Sequence, residues 1–532
     1  MDLSDWIVRR ASFSPHHTAI HFQGEAITYA ALAARVDRVA GMLKDGLGIA
    51  RGDRVAMVGY NNPEMIALLF ACARLGAILV PLNWRLAPPE HLEILHNCTP
   101  RALIAEPSFV PGVDSIASEL GALTRVVFGE EQGDWSCFEA LMDNAGDWRG
   151  ADPLANPDSP VVICYTSGTT GRPKGVVLTQ NVLFYNAVNS TDMHALTRAD
   201  RVLTTLPLFH VGGLNVQTLP ALHAGATVVL HDKFDPVETL KAIPEHRITL
   251  TVLVPTQISA LMALPGWEAA DLSSLRTVTT GSTIVPDHLV RAVQARGVPV
   301  IPVYGSTETA PVAVYLPPHE SERKLGSTGK AGLHAEVRIV DEAGRDAAPG
   351  VPGEVLVRGP IVMSEYWENP QASAEALKDG WFHTGDIGHL DDEGFLFIDD
   401  RKKDVIISGG ENVYPAGLEN LLAECDWIAE AAVVGLPDAH WGEKVVAVVV
   451  PGTPGAQSPS TPSPDDVLGL FEGRVARYKH PREVVFLDQL PRNAMGKVQK
   501  DKLRDLVAAL PNGGKRGRAA PAGASGGGNP QR

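Results

Sequence analysis

Residues Tyr165-Thr166-Ser167-Gly168-Thr169-Thr170-Gly171-Arg172-Pro173-Lys174-Gly175 gather hydroxyls, glycines and two cations into one short stretch. Glycine lets the backbone approach a ligand closely and take positive φ. Successive N–H groups in such turns form a concave anion site, and Lys174 adds charge. The chemistry this suits is the holding of a polyphosphate. It is not the G-x-x-x-x-G-K-[ST] loop that leads from a strand into a helix, because Pro173 separates Arg172 from Lys174. The apolar runs on either side, Val161–Tyr165 and Val176–Thr179, predict two strands of a hairpin.

Three further groups could act on a nucleotide. Glu308, in Tyr304-Gly305-Ser306-Thr307-Glu308, follows an apolar strand, and open α/β sheets bind ligands at such carboxyl ends. One carboxylate plus phosphate oxygens is a common way to hold Mg²⁺. Asp386, in Trp381-Phe382-His383-Thr384-Gly385-Asp386, could accept both ribose hydroxyls, and Arg401 could add a charge-assisted bond. Lys497, in Pro491-Arg492-Asn493-Ala494-Met495-Gly496-Lys497, could neutralise charge where two anions meet.

These strings, in this order, resemble the signatures of the adenylate-forming superfamily, which includes acyl-CoA synthetases, peptide-synthetase adenylation domains and firefly-type luciferases. The resemblance spans about residues 10–510. It implies that Thr166, Ser167, Gly168, Thr169, Thr170, Gly171 and Lys174 hold the β- and γ-phosphates. Tyr304 would pack on adenine, with Gly281-Ser282-Thr283 on its other face. Gly305 and Thr307 belong to the second signature, where the threonine meets phosphate and Glu308 holds magnesium. Asp386 and Arg401 would bind ribose, and Lys497 would be the adenylation lysine. Lys403 matches the hinge of a mobile C-terminal lid. Once the lid turns, Ser408, Gly409 and Gly410 would face the active site, and Trp441 and Lys479 resemble coenzyme A contacts. His480 departs from relatives that carry arginine there.

Candidate catalytic residues are thus Lys497, Glu308, Thr166 and His210. Activation by ATP needs no base, so His210 fits a structural or gating part better. It lies in Leu206-Pro207-Leu208-Phe209-His210-Val211-Gly212-Gly213-Leu214, which resembles the acyl-pocket signature. Phe209-His210-Val211 stands where amino-acid-activating relatives carry an early aspartate, and no Arg or Lys occurs between Thr204 and Leu230. Both absences favour a monocarboxylic acid with an apolar body. Fatty and aryl acids both fit; Ile406–Pro415 resembles bacterial fatty-acyl-CoA synthetases and leans toward the former. The expected reaction is ATP-dependent ligation of such an acid to coenzyme A through an acyl-adenylate. The alternatives are an acyl-AMP ligase loading a carrier protein, a luciferase-like oxygenase, or a silent nucleotide-binding scaffold. The residues without the resemblance reach only a nucleotide-binding α/β protein with a charged hinge.

The elements that must position these groups alternate. Ala30–Leu47 and Pro63–Leu75 read as helices, and Arg54–Val58, Ala77–Leu82, Thr227–Leu230, Leu250–Val254 and Val298–Val303 as strands. The expected fold class is α/β: a large N-terminal domain (1–400) of two parallel sheets plus a small β-subdomain near Val337–Val357, then a small α+β lid (401–511). In the lid, Pro415–Glu424 and Pro464–Ala476 are expected helices, and Gly452–Pro464 a surface loop. Residues 512–532, rich in Gly, Ala, Arg and Pro, are expected to be disordered. The 532 residues carry a net charge of −16, which argues against a general nucleic-acid partner. Five scattered cysteines suit neither a disulfide framework nor a zinc site. No signal peptide or transmembrane span is expected, so the cytoplasm is the expected compartment. No carrier domain follows residue 510, so a complete peptide-synthetase module is not expected. The partners expected are ATP, coenzyme A and a small carboxylic acid, with a homodimer as the candidate assembly.

Overall fold

The computed structural model describes residues 3–166, 173–282, 285–452, 462–493, 496–510 and 516–518. Its contacts divide it into two compact units. The first lies within Met1–Thr384 and His389–Ile398, the second within Gly385–Gly388 and Asp399–Arg532.

Two large mixed sheets and a smaller one organise the first unit, and the fold is α/β. The nine-stranded sheet runs Lys330–Ala331, Val314–Tyr315, Val300–Tyr304, Thr277–Thr280, Leu250–Val252, Arg201–Thr204, Thr227–Leu230, Thr18–Phe22, Glu25–Thr28. From Val300–Tyr304 to Thr18–Phe22 every pair is parallel, and the outer strands are antiparallel. The eight-stranded sheet has the same plan. Its parallel strands include Arg54–Val58, Ile78–Leu82 and Pro160–Thr166, and Lys174–Thr179 and Glu365–Tyr366 add antiparallel strands at one edge. Near-continuous runs of Val, Ile and Leu suit strands that are covered on both faces.

Helix Pro63–Leu75 shows how the sequence builds this core. Asn62 caps it by accepting from the Glu64 N–H at 2.9 Å, Pro63 starts it, and Gly76 ends it at φ 67°. Every one of its residues is buried. Its apolar side chains share one cluster with Val55 and Met57 of the eight-stranded sheet and Val228 and Leu230 of the nine-stranded sheet. Arg74 stays charged inside because Asp37, at 2.5 Å, and the Trp148 carbonyl, at 2.9 Å, take its guanidinium.

Helix Gln180–His194 carries a buried titratable group. Burial, helped by the nearby Arg276 charge, lowers the His194 pKa to about 4. The unfolded chain therefore takes up a proton near pH 6.5, and the folded chain only near pH 4. Stability from this site is complete above pH 6.5 and is lost as the pH falls toward 4, by on the order of 3 kcal/mol. His194→Gln is expected to flatten the decline of Tm between pH 6.5 and 4 relative to the parent. Parallel melting curves for the two proteins across that range would refute this.

A five-stranded sheet containing Glu336–Val340, Gly353–Arg358, Leu377–Lys378, Trp381–Leu390 and Leu396–Arg401 is the expected β-subdomain. The second unit is α+β, built on the long hairpin of Ile428–Asp438 and Gly442–Pro451. Helix Pro415–Ala423 lies in it as expected. The helix expected over Pro464–Ala476 stops at Gly469. Gly469 and Gly473, the latter at φ 71°, disfavour its continuation. Within the tail expected to be disordered, Arg516–Arg518 pairs antiparallel with Glu483–Phe486, whose outer edge offers unpaired backbone groups. Most of the expected loop after Gly452 lies outside the described residues. No helix among the described residues is long and apolar enough to cross a membrane.

Candidate active site

The phosphate-loop hairpin forms as its flanks predict: Pro160–Thr166 pairs antiparallel with Lys174–Thr179, and Thr166 stands opposite Lys174. Ser167, Gly168, Thr169, Thr170 and Gly171, with Thr283 of the adenine segment, lie outside the described residues. At the other edge of Lys174–Thr179 the short strand Glu365–Tyr366 docks, with Tyr366 paired to Val176. Tyr366 thereby becomes part of the site, a residue that no local motif singles out.

The Tyr366 hydroxyl donates to Glu308 Oε1 at 2.8 Å, and Lys174 Nζ lies 4.9 Å from the centre of its ring. Burial first, then the Glu308 carboxylate, push the Tyr366 hydroxyl well above the ordinary phenol range, so it remains a donor. Glu308 sits on the single 3₁₀ turn Thr307–Thr309, and its carbonyl accepts from the Met363 N–H at 2.7 Å. Three segments distant in sequence therefore bring a cation, a phenol and a carboxylate together. With one carboxylate oxygen engaged by Tyr366, the other suits a divalent cation. Among the described residues no group of three His, Cys, Asp or Glu gathers elsewhere to hold a metal. An ion at Glu308 would thus take its remaining ligands from phosphate and water, the usual habit of Mg²⁺.

Tyr304 ends its strand, and the Ala313 N–H donates to its carbonyl at 3.2 Å. Gly281 follows strand Thr277–Thr280, and Ser282 holds φ 75°, unusual for a residue with a side chain. His210 caps the short helical turn Val211–Gly213: its Nδ1 accepts from the Gly212 N–H at 3.0 Å. That bond gives the histidine a structural part. The loop before it is pinned by buried Asn61, which sequence reasoning did not single out. Asn61 donates to the carbonyls of Leu206 and His231 at 3.0 and 2.9 Å and accepts from the Leu208 N–H at 2.7 Å. Phe209 then meets Trp84 edge-on at 6.5 Å, and Trp84 meets Tyr60 at 4.9 Å.

In the second unit the two expected ribose ligands meet one another: Arg401 Nε lies 3.0 Å from Asp386 Oδ1, and Asp386 is buried. Neighbouring Asp400 is also buried; its pKa is raised to about 6 by desolvation, against the opposing charge of Lys500. Both its oxygens are used, by the N–H groups of Arg401 at 2.7 Å and Ala416 at 2.9 Å. Lys403 pairs with Asp501 at 3.2 Å. Ser408 and Glu411 pair across Gly409 and Gly410, whose φ of 63° and 84° suit a two-residue hairpin that glycine forms at no steric cost. A Cβ on Gly409 would come within 3.0 Å of the Trp441 ring. Arg482 lies over that ring at 4.2 Å, so Trp441 is held firmly. Lys479 ends the short turn Arg477–Lys479. Lys497 closes a tight turn in which Asn493 and Lys497 exchange backbone bonds: Asn493 N–H reaches the Lys497 carbonyl, and Lys497 N–H reaches Asn493 Oδ1, both at 2.9 Å.

Residues 7–367 match the AMP-binding enzyme family and residues 417–497 its C-terminal domain. The chain belongs to the AMP-binding enzyme family. It is 57% identical to indoleacetate–CoA ligase of Aromatoleum aromaticum, over 96% of this chain and 98% of that protein. It is 42% identical to a feruloyl-CoA synthase of Amycolatopsis, over 94% and 98%. Among solved structures, o-succinylbenzoate CoA synthetase from Bacillus subtilis with its acyl-adenylate intermediate superposes with a TM-score of 0.84 at 33% identity. The match covers 95% of this chain and 99% of that one. The same enzyme has also been solved with ATP and a magnesium ion. This member of the AMP-binding family is an AMP-forming acid–CoA ligase.

Proposed function

We propose that this ligase activates an aryl acid rather than a fatty one. The observation that carries this reading is the 57% identity, nearly end to end, with a ligase named for indoleacetate. The aromatic side chains Phe209, Trp84 and Tyr60 at the apolar loop support it, because rings pack edge-on against rings. The likeness of Ile406–Pro415 to fatty-acyl enzymes points the other way. That stretch belongs to the second unit, however, and the acyl loop belongs to the first.

A carboxylate is a poor electrophile, since oxide is a poor leaving group. In the proposed first step its oxygen attacks the α-phosphorus of ATP, and the bond to the bridging oxygen breaks to release pyrophosphate. Lys497 offsets the charge as the two anions meet, and Thr166, Lys174 and the glycine loop hold the departing phosphates. Glu308, oriented by Tyr366, would hold magnesium, whose charge offsets that of the phosphates. Tyr304 and Gly281–Thr283 would enclose adenine, and Asp386 with Arg401 would hold ribose. In the second step the coenzyme A thiol, admitted past Ser408–Gly410 and bound by Trp441 and Lys479, attacks the acyl carbon and AMP leaves.

The test is coenzyme A-dependent AMP formation by the purified protein across arylacetic, cinnamic and short-to-long fatty acids. An aryl acid is expected to give the highest kcat/KM. A fatty acid at the top of the series would overturn the aryl reading while keeping the ligase.

A further inference from the structure

Beneath the loop Leu206–Leu214 lies a cavity of about 170 Å³, walled in part by Thr205, Leu206, Gly212, Gly213, Gln217 and Val252. Two polar atoms of its walls meet no partner, Thr205 Oγ1 and Gln217 Oε1. Their residues are only 1% and 2% exposed. Buried polar atoms are nearly always satisfied, so two unsatisfied ones on one cavity call for an explanation. By contrast, Thr218, also in the wall, is satisfied: its hydroxyl lies 2.6 Å from the Gly213 carbonyl and 2.8 Å from Thr204 Oγ1.

The direction of the Gln217 amide follows from its neighbour. His194 Nδ1 lies 2.8 Å from the Ser190 carbonyl, which can only accept, so Nδ1 carries the ring proton. Burial keeps the ring neutral, which leaves Nε2 as an acceptor. Gln217 Nε2 lies 3.0 Å from that atom and 3.2 Å from Thr279 Oγ1. Only the amide nitrogen can face an acceptor, since the reverse orientation would set oxygen against a lone pair. Gln217 Oε1 is therefore turned away from His194 and left as a fixed, unsatisfied acceptor in a residue that walls the cavity. His194 acts here as a positioning residue.

We propose that Gln217 selects aryl acids whose ring end carries an N–H or O–H, by accepting that hydrogen at Oε1. The assignment rests on the aryl–CoA ligase reading and names the substrate class more narrowly. A donor at the ring end satisfies Oε1, whereas a hydrocarbon end of the same shape leaves it buried and unpaired. A site built to bond a donor discriminates against the analogue that lacks it. Thr205 Oγ1 offers a second polar contact at the same cavity.

The experiment compares matched acids with the full-length protein, reading pyrophosphate release. One pair is indole-3-acetate with 1-benzothiophene-3-acetate, which replaces N–H by sulfur. The other is 4-hydroxyphenylacetate with 4-fluorophenylacetate. The donor acid of at least one pair is expected to win by roughly 10-fold to 100-fold in kcat/KM, chiefly through KM. Gln217→Met is expected to bring that ratio close to one by weakening use of the donor acid, with the donor-free acid little changed. Gln217→Leu replaces it if melting shows that the methionine variant does not fold. Equal use of both members of both pairs by the parent, or a preference that survives in the variant, would overturn the proposal and leave the ligase standing. No pyrophosphate release with any acid would remove the ligase reading itself, and this proposal with it.

Discussion

Lys497→Ala is expected to lose adenylation by about 100-fold to 1,000-fold, the usual result of removing one preorganised donor from a developing anion. The same variant, supplied with acyl-AMP and coenzyme A, is expected to form thioester within about 3-fold of the parent rate, as a surface substitution would. The reason is chemical. In the first half-reaction a carboxylate approaches a phosphate, and a cation must offset the repulsion. In the second, a thiol meets an activated carbonyl and AMP departs, so that cation is not needed in the same place. The Lys497 turn favours a precise placement: Asn493 bonds the Lys497 backbone in both directions, and Gly496 adds a third bond to the Asn493 carbonyl at 2.9 Å. The measurement is pyrophosphate release from ATP and acid, set beside acyl-CoA formation from purified acyl-AMP. Equal loss in both assays would remove the lysine from its proposed role. The same pair of assays on Lys403→Pro tests the hinge proposal: fixing φ there should slow thioester formation more than adenylation, and an unaffected second step would dismiss it.

What could be read from the sequence was what is local. Strand Arg54–Val58 and helix Pro63–Leu75 match their expected bounds, because hydrophobic period, the Asn62 cap and Gly76 all lie within a few residues of each other. Glu308, Lys174 and Lys497 announce themselves by the strings around them. Tyr366 does not. It reaches Glu308 only because Glu365–Tyr366 docks against Lys174–Thr179, a pairing across nearly two hundred residues that no periodicity reveals. Asn61 and Gln217 are similar: each looks like an ordinary polar residue until distant carbonyls, or a buried histidine, give its amide a direction. His210 shows the opposite case, a residue chosen for its chemistry whose Nδ1 is taken up by capping a turn. The short helix after Pro464 failed for a local reason, since the apolar pattern was weighed above two glycines that disfavour it.

Gly305→Ala is expected to damage both half-reactions, in contrast to Lys497→Ala. A Cβ there would lie 1.8 Å from the Pro311 carbonyl oxygen and 2.8 Å from Thr309 Oγ1. Real contacts do not approach so closely, so the backbone must move. Neither side can yield cheaply. Tyr304 is paired to Val314, the Val312 N–H donates to Asn186 Oδ1 at 3.0 Å, and Thr309 Oγ1 accepts from the Ser306 N–H at 2.9 Å. Overpacking of this kind costs about 1–3 kcal/mol of stability. The larger effect is on the site, because the turn that must shift carries Glu308 at one end and follows Tyr304 at the other. A misplacement of about 1 Å commonly costs on the order of 100-fold in rate. Pyrophosphate release and thioester formation from acyl-AMP should therefore fall together, since the metal carboxylate serves the first step and the adenine face serves both. A modest drop in Tm with both activities near zero is the expected pattern. Retention of thioester formation at the parent rate would mean that the turn relaxes without disturbing Tyr304, and would separate the adenine contact from the Gly305–Glu308 turn.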